Sequence, residues 1–260
     1  TRTTEALTPV QMKTTVVLPT YNEAQNIEAM TAVLLELPLD DLDILIVDDD
    51  SPDGTGQLAD RLTVEHPERV QVLHREKKRG LGSAYLEGFS RALEAGAKVI
   101  IQMDADFSHA PRYIPGMLAT LRNCDVVVGS RYVPGGRQDE HWGGGRRLLS
   151  LFANSIYTRL ILGLQVRDIT AGFRAWKRET LLGMGLQRVQ SNGYVFQVEL
   201  AYIAERLGYL VLEVPIYFED RRIGRSKMSQ RNILEAVWRT PLVLSLIHIS
   251  EPTRRTPITY

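Results

Sequence analysis

Two aspartates stand two residues apart after an apolar segment of strand length. The predicted strand covers residues 97–104 and ends at Asp104. Asp106 lies in the turn that follows. Alternate residues at a strand end point the same way, so both carboxylates can grip one divalent cation, and oxygen ligands suit Mg²⁺ or Mn²⁺. Such a metal would neutralise charge on a departing diphosphate. The alternative is a solvated turn or helix cap before Pro111.

A second acidic segment, "ILIVDDDSPDGTG" over residues 44–56, follows another apolar run. Phospho-receiver domains and sugar-nucleotide transferases both begin this way. A receiver needs its phosphorylated aspartate at the end of the next strand, where this chain has His74 and Arg75. We therefore reject the receiver and favour the transferase.

The elements that must position these carboxylates can be predicted from periodicity. Apolar runs rich in Val and Ile alternate with amphipathic helical stretches, which predicts an α/β fold with a mostly parallel, doubly wound sheet. The strands are predicted at residues 14–19, 42–48, 70–74, 97–104 and 124–130. The helical stripes are Ile27, Met30, Leu34 and Leu37, then Leu58, Leu62 and Val64. Ligands bind such sheets at the carboxyl ends of the strands, where the polar segments lie.

The pattern changes after residue 132. We predict a glycine-rich loop, an amphipathic helix, a second helix, one strand and a basic turn, at residues 133–145, 146–163, 193–208, 209–218 and 219–227. The apolar stripe over 148–160 has two open interpretations, protein core or a face at the bilayer interface. We expect one catalytic domain over 14–227 and an amphipathic helix over 228–244. Residues 245–260 resemble translated adapter read-through, and we expect them outside the fold.

Bulk composition excludes several classes. The 260 residues are 44% hydrophobic and 24% charged, as in ordinary globular proteins. The net charge of zero argues against a nucleic-acid partner. The single cysteine, Cys124, excludes an internal disulfide and fits a reducing compartment. No apolar run approaches the ~20 residues that span a bilayer.

Several motifs together resemble the dolichol-phosphate (polyprenyl-phosphate) mannosyltransferases, which are inverting enzymes of the GT-A fold. They are "VVLPTYNE", "IVDDDSPDGT", "REKKRGLGSAY", "MDADFSH", "GSRY", "DITAGFR", "GYVFQVE" and "RRIGRSK". The resemblance implies metal-assisted transfer of mannose from GDP-mannose to dolichyl or polyprenyl phosphate. It also implies a peripheral position at the cytoplasmic face of a membrane, with a membrane-anchoring partner subunit as one option. A UDP-sugar donor carrying glucose or an aminosugar stays open.

The resemblance also implies roles for individual residues. The catalytic set is Asp104, Asp106 and Arg131. The nucleotide-sugar set is Pro19, Tyr21, Glu23, Val47, Asp49, Asp104, Ala105 and Asp106. The metal set is Asp104 and Asp106, with Ser108 where the family often has Gln. Asp168, Thr170 and Arg174 would organise the site floor, and Gln197 and Glu199 would face the same cleft. We expect Asp53 to be mostly structural.

The acceptor needs cations rather than a base. A lipid monophosphate is anionic near neutral pH, with a second pKa of about 6, so its oxygen can attack the sugar carbon directly. The predicted phosphate-binding set is Arg131, Arg146, Ser150, Arg221 and Lys227. Arg146 and Ser150 are four residues apart and would share one helix face. The alternative is a set of scattered surface charges.

Overall fold

The computed structural model describes residues 12–139, 162–189 and 191–219. The predicted helix over 228–244 and the segment 245–260 lie outside these residues, as does the predicted helix over 146–163 except for its last two residues.

One seven-stranded sheet forms the centre of the described part of the chain. Its strands follow the order β3-β2-β1-β4-β7-β5-β8 and are parallel except for β7, which is antiparallel to both of its neighbours. The strands are β1 Thr14–Thr20, β2 Leu42–Asp48, β3 Val70–His74, β4 Val99–Gln102, β5 Val126–Ser130, β7 Arg174–Lys177 and β8 Val211–Pro215. A small second sheet pairs β6 (Arg137–Gln138) with β9 (Tyr217–Phe218). The predicted mostly parallel α/β fold is confirmed.

Helices cover both faces of this sheet, because its central strands are apolar on both sides. The helices are α1 Ile27–Leu35, α2 Thr55–Glu65, α3 Leu81–Glu94, α4 Ile114–Leu121, α5 Arg178–Gly183 and α6 Tyr194–Arg206. One core forms where α1, α2 and α4 pack on the sheet. A second core lies on the opposite face, beneath α3, α5 and α6.

Three local predictions differ from the structure, and one strand was not predicted. Leu37 lies beyond the end of α1, and Val64 is 81% exposed, so neither extends its helical stripe. The strand predicted over 209–218 is divided, because β8 pairs with β5 while β9 turns away to pair with β6. The strand β7 was not predicted from the sequence, because its four residues are too few to show a period.

Backbone strain marks the carboxyl edge of the sheet. Within the described residues, a positive φ outside glycine occurs at Asn22, Asp50 and Phe107, with values of 59°, 60° and 63°. These residues belong to the loops that follow β1, β2 and β4. Strain of this kind clusters at functional sites, so this edge is the candidate site. No helix in the three described ranges has the length and apolarity needed to cross a bilayer.

Candidate active site

Asp104 lies two residues beyond the end of β4 and is held in place by a tyrosine. The Tyr85 hydroxyl donates a hydrogen bond of 2.9 Å to Asp104 Oδ1. Burial, followed by the charge of Asp104, raises the pKa of Tyr85 well above its usual 10, so the hydroxyl keeps its proton. The bond engages one carboxylate oxygen and orients Oδ2, and the Asp104 side chain remains 32% exposed.

Asp106 is fixed within its own turn. The Ser108 hydroxyl and backbone N–H donate to Asp106 Oδ1, at 2.6 and 3.1 Å. Asp106 is only 2% exposed, and Phe107 between the two residues adopts the left-handed backbone conformation. Ser108 thus acts first as a clamp on Asp106, while its oxygen keeps lone pairs that can accept.

The donor atoms of this turn fit a hard divalent cation. Asp104 and Asp106 supply carboxylate oxygens, and Mg²⁺ is usually bound by one or two carboxylates together with substrate phosphates and water. Within the described ranges no group of three or more His, Cys, Asp or Glu side chains could hold an ion. Two carboxylates of this kind suit a metal shared with a phosphate ligand better than an all-protein metal cage.

Gly172 adjoins this turn, and the absence of a side chain on it leaves a small space there. A Cβ placed on Gly172 would lie 3.2 Å from His109 Cε1, 3.6 Å from Gln197 Nε2 and 3.7 Å from Asp104 Oδ2. We call this space the Gly172 gap. It brings a carboxylate oxygen, an amide nitrogen and an imidazole ring together at the carboxyl edge of the sheet.

His109 is a neutral wall of the gap rather than a charged group. Its ring lies against Phe173, with centroids 5.3 Å apart, and its Nδ1 accepts the backbone N–H of Asp104 at 3.2 Å. Burial lowers the pKa of His109 below 6.5 despite the opposing charges of Asp104 and Asp106. The imidazole is therefore uncharged near pH 7, with its proton on Nε2.

Arg131 follows β5 and forms a two-pronged ion pair with Asp168. Its Nε and Nη2 donate to the two Asp168 oxygens at 2.8 and 2.6 Å, and Nη2 also donates to Thr170 Oγ1 at 2.9 Å. Asp168 is completely buried, and the guanidinium lies 5.2 Å from the ring centroid of Phe218. These contacts fix the arginine in one orientation at the rim of the site.

Arg174 lies beneath the site and is fully buried. Its Nη2 donates to the carbonyls of Ile169 and Gln197 at 2.7 and 2.9 Å, which ties the loop before β7 to α6. Burial lowers the pKa of Arg174 to about 10 against the opposing charges of Asp168 and Glu213. The guanidinium therefore still carries its charge at neutral pH, and its role in the site floor stays a prediction.

Asp49 anchors the loop before α3. Its carboxylate pairs with the fully buried side chain of Arg75 and accepts the backbone N–H groups of Arg79 and Gly80 at 3.0 and 2.8 Å. Arg75 also donates to Glu87 at 3.0 Å. A carboxylate can accept about four hydrogen bonds. The predicted contact between Asp49 and a nucleotide is compatible with this arrangement and stays a prediction.

The other predicted nucleotide residues differ in what they expose. Pro19, Val47 and Ala105 are buried, and their predicted contacts with the nucleotide stay predictions. Tyr21 lies beneath Lys78, whose Nζ is 3.4 Å from the ring centroid. Glu23 begins the turn before α1, and its backbone N–H donates to Thr55.

Asp53 joins the first two loops, which confirms its expected structural role. It accepts the backbone N–H of Ala24 at 3.1 Å and that of Thr55 at 3.1 Å, together with the Thr55 hydroxyl. Burial raises the pKa of Asp53, but the hydrogen bonds outweigh it and leave the pKa below the usual value. The carboxylate therefore holds both loops in its ionised form.

Four predicted acceptor residues lie outside the described part of the chain. They are Arg146, Ser150, Arg221 and Lys227. Glu199 accepts the backbone N–H of Ser191 at 2.9 Å and is buried.

Sequence reasoning missed several supporting residues. Tyr85 and Arg75 stand inside quoted motifs, but nothing in their spacing indicates a contact with an aspartate. Gln102 gives a clearer signal, because it is a polar residue in the apolar run of β4 and is fully buried. A buried amide needs hydrogen-bond partners, and Gln102 finds them in Gln197 and Trp176.

Comparison with known proteins agrees with this geometry. Residues 15–182 match the sequence family described as Glycosyl transferase family 2. The chain is 46% identical to a polyprenol monophosphomannose synthase of Mycolicibacterium smegmatis, over 87% of this chain and 85% of that protein. It is 45% identical to an undecaprenyl-phosphate mannosyltransferase of Micrococcus luteus, over 87% and 91%. A dolichol-phosphate mannosyltransferase of Pyrococcus furiosus is 36% identical over 86% of this chain and 61% of its own length.

Solved structures share the fold at much lower identity. The mannosyltransferase PcManGT from Pyrobaculum calidifontis, in complex with GDP-Man and Mn²⁺, superposes with a TM-score of 0.60 at 18% identity, covering 94% of this chain and 67% of that one. A glucosyl-3-phosphoglycerate synthase from Mycobacterium tuberculosis, bound to Mn²⁺, UDP and phosphoglyceric acid, gives 0.61 at 20%, covering 90% and 78%.

Proposed function

The chain belongs to glycosyl transferase family 2 and has the GT-A fold, and we propose that it transfers mannose from GDP-mannose to a polyprenyl or dolichyl phosphate. The observation that carries the proposal is the acidic turn at the carboxyl edge of the sheet, in a chain 45–46% identical to polyprenyl-phosphate mannosyltransferases. The products are polyprenyl phosphate mannose and GDP.

On the donor side, Asp104 and Asp106 are the residues that would hold a divalent cation, Mg²⁺ or Mn²⁺. When bound, the metal supplies positive charge against the leaving diphosphate. The protein's own contribution is orientation: Tyr85 holds one oxygen of Asp104, and Ser108 holds one oxygen of Asp106. Positioning of this kind lowers the barrier before any bond breaks.

On the acceptor side, Arg131 holds the lipid phosphate. A phosphate oxygen attacks the anomeric carbon and forms the new C–O bond, while the old bond breaks and its electron pair goes to the diphosphate oxygen. The nucleophile is already anionic, so no proton has to be removed. Attack from the face opposite the leaving group gives inversion. Asp168 supports this role, since it fixes the guanidinium in one plane.

The acceptor is a lipid, so we place the protein at a membrane surface, at the cytoplasmic face. A partner subunit that anchors the chain there belongs to the same proposal. The relatives support the position at a membrane surface, because their named activities use lipid phosphates, whereas the cytoplasmic face and the partner subunit rest on the family resemblance alone.

Transfer of radiolabelled mannose from GDP-mannose to polyprenyl phosphate in detergent tests the function. We expect organic-extractable product that requires Mn²⁺ or Mg²⁺, with the β configuration by NMR. Asp106→Asn keeps an oxygen for Ser108 yet should lose at least about a hundredfold in rate. The exposed Asp60→Asn serves as the matched control. Transfer from UDP-glucose but not from GDP-mannose would instead establish the UDP-sugar alternative.

Arg131→Lys tests the acceptor role separately. Lysine keeps the positive charge beside Asp168 but cannot form the two-pronged contact. We expect KM for the lipid phosphate to rise about tenfold while GDP affinity stays constant. Arg137→Lys, at an exposed arginine of β6, is the control. Equal losses of lipid and GDP affinity would contradict the assignment.

A further inference from the structure

Two buried glutamines connect the middle of the sheet to the Gly172 gap. Gln102 in β4 is fully buried, and Gln197 in α6 is 4% exposed. Gln102 Nε2 donates to Gln197 Oε1 at 2.7 Å, and Trp176 Nε1 donates to Gln102 Oε1 at 3.1 Å. The three side chains form a continuous hydrogen-bonded chain from β7 to α6.

The chemistry of tryptophan gives this chain a direction. An indole N–H can only donate, whereas each amide can present either its oxygen or its NH₂ group. Trp176 therefore selects the oxygen of Gln102, which leaves the NH₂ group of Gln102 for the oxygen of Gln197. The NH₂ group of Gln197 is then the end of the chain.

That end faces the gap. Gln197 Nε2 lies 3.6 Å from the position of a Cβ on Gly172, and Asp104 Oδ2 lies 3.7 Å from the same position. The backbone of Gln197 is held as well, since its carbonyl accepts a bond from Arg174 at 2.9 Å. A hydrogen-bond donor is thus fixed beside Gly172, next to the same backbone position as Asp104 Oδ2.

We propose that Gln197 donates a hydrogen bond to an oxygen of the bound sugar nucleotide, and that Trp176 acting through Gln102 sets this polarity. The proposal rests on the proposed function and adds a binding residue and two positioning residues to it. The acceptor oxygen belongs to the diphosphate or to a sugar hydroxyl. If the Gln197 amide were turned the other way, its Oε1 would lie at the Gly172 gap and could bind the cation. The hydrogen bond from Trp176 fixes the Gln102 amide, which in turn holds Gln197 Oε1 away from the gap, so Gln197 is not a metal ligand.

Calorimetric titration of GDP and of GDP-mannose, both with Mn²⁺, tests the donor. Gln197→Glu has the same shape but replaces NH₂ with an oxygen, so we expect GDP-mannose to bind at least about tenfold more weakly. An equal loss for GDP identifies a diphosphate oxygen, and an unchanged GDP affinity identifies a sugar hydroxyl. Unchanged GDP-mannose affinity, or tighter Mn²⁺ binding by the variant, would overturn the proposal, because a carboxylate would improve a metal ligand.

A double-mutant cycle tests the positioning residues. Trp176→Phe removes the N–H that orients Gln102, and we expect GDP-mannose affinity to fall about two- to fivefold. In the Gln197→Glu background the two oxygens are equivalent, so the same change should cost nothing further. Equal losses in both backgrounds would mean that Trp176 acts through packing alone.

The orientation can also be measured without substrate. In ¹⁵N-glutamine spectra we expect one NH₂ pair each for Gln102 and Gln197, shifted or doubled by Trp176→Phe. Spectra unchanged at both residues would overturn the proposal that Trp176 sets the orientation of the two amides. If the wild-type protein bound no GDP-mannose but Trp176→Phe still changed these spectra, the proposed function would be wrong while the orientation of the amides by Trp176 would be supported.

Discussion

Substitution of Gly172 by alanine tests whether the Gly172 gap is where ligand binds. Gly172 does not have a positive φ, so alanine is compatible with its backbone. The new methyl group would lie 3.2 Å from His109 Cε1, which requires the ring to move by a few tenths of an ångström. Its contacts with Gln197 Nε2 and Asp104 Oδ2, at 3.6 and 3.7 Å, are ordinary van der Waals distances.

These distances set the expected magnitudes. One slightly tight contact should lower the free energy of unfolding by about 1 kcal/mol, the lower end of the cost of overpacking. The same methyl group occupies the space beside Asp104 Oδ2 and the Gln197 amide, so any ligand bound there must move or leave. We expect kcat/KM for GDP-mannose to fall at least about tenfold, which corresponds to about 1.4 kcal/mol of transition-state stabilisation.

Two measurements separate activity from stability. Initial rates of mannosyl transfer give kcat/KM, and urea denaturation of the same preparation gives the free energy of unfolding. Gly116→Ala is the control, because a Cβ at that position in α4 meets no atom within 4 Å. If Gly172→Ala kept wild-type kcat/KM, ligand would not bind in the gap. Loss of both activity and folding would show that the His109 ring cannot move to make room for the methyl group.

Two substitutions and one labelling experiment test the framework of the fold. In Gly88→Ala, the new methyl group on α3 would overlap the side chain of Val17. We therefore expect the free energy of unfolding to fall by about 1–3 kcal/mol. An unchanged midpoint of urea denaturation would contradict this close packing. Arg131→Ala leaves the buried Asp168 without its cation and should cost about 3–5 kcal/mol of stability, whereas a loss below about 1 kcal/mol would show that Asp168 is stable without the pair. Cys124 is 3% exposed, and burial raises the pKa of its thiol. The native protein should therefore react with iodoacetamide at least about a hundredfold more slowly than the denatured protein. Rapid labelling of the native protein would show that Cys124 is not buried.

The fold was predictable where the sequence repeats a simple pattern. Five apolar runs alternating with helices gave β1 to β5, and the carboxyl edge followed from the parallel order. The residues that orient the site were not predictable, because their contacts join distant parts of the chain. Tyr85 reaches Asp104 from a helix on one face of the sheet, and Trp176 reaches Gln102 from the neighbouring strand. Periodicity reports which side of an element is buried, but not which polar atoms meet there.

The antiparallel strand β7 explains how opposite charges come together at this edge. A strand that ran parallel would place its preceding loop at the far end of the sheet. Because β7 runs the other way, the loop before it lies beside the loops that follow β4 and β5. Asp168 in that loop reaches Arg131 after β5, and Gly172 in the same loop adjoins Asp104 after β4. One loop therefore sets the position of Arg131 relative to Asp104.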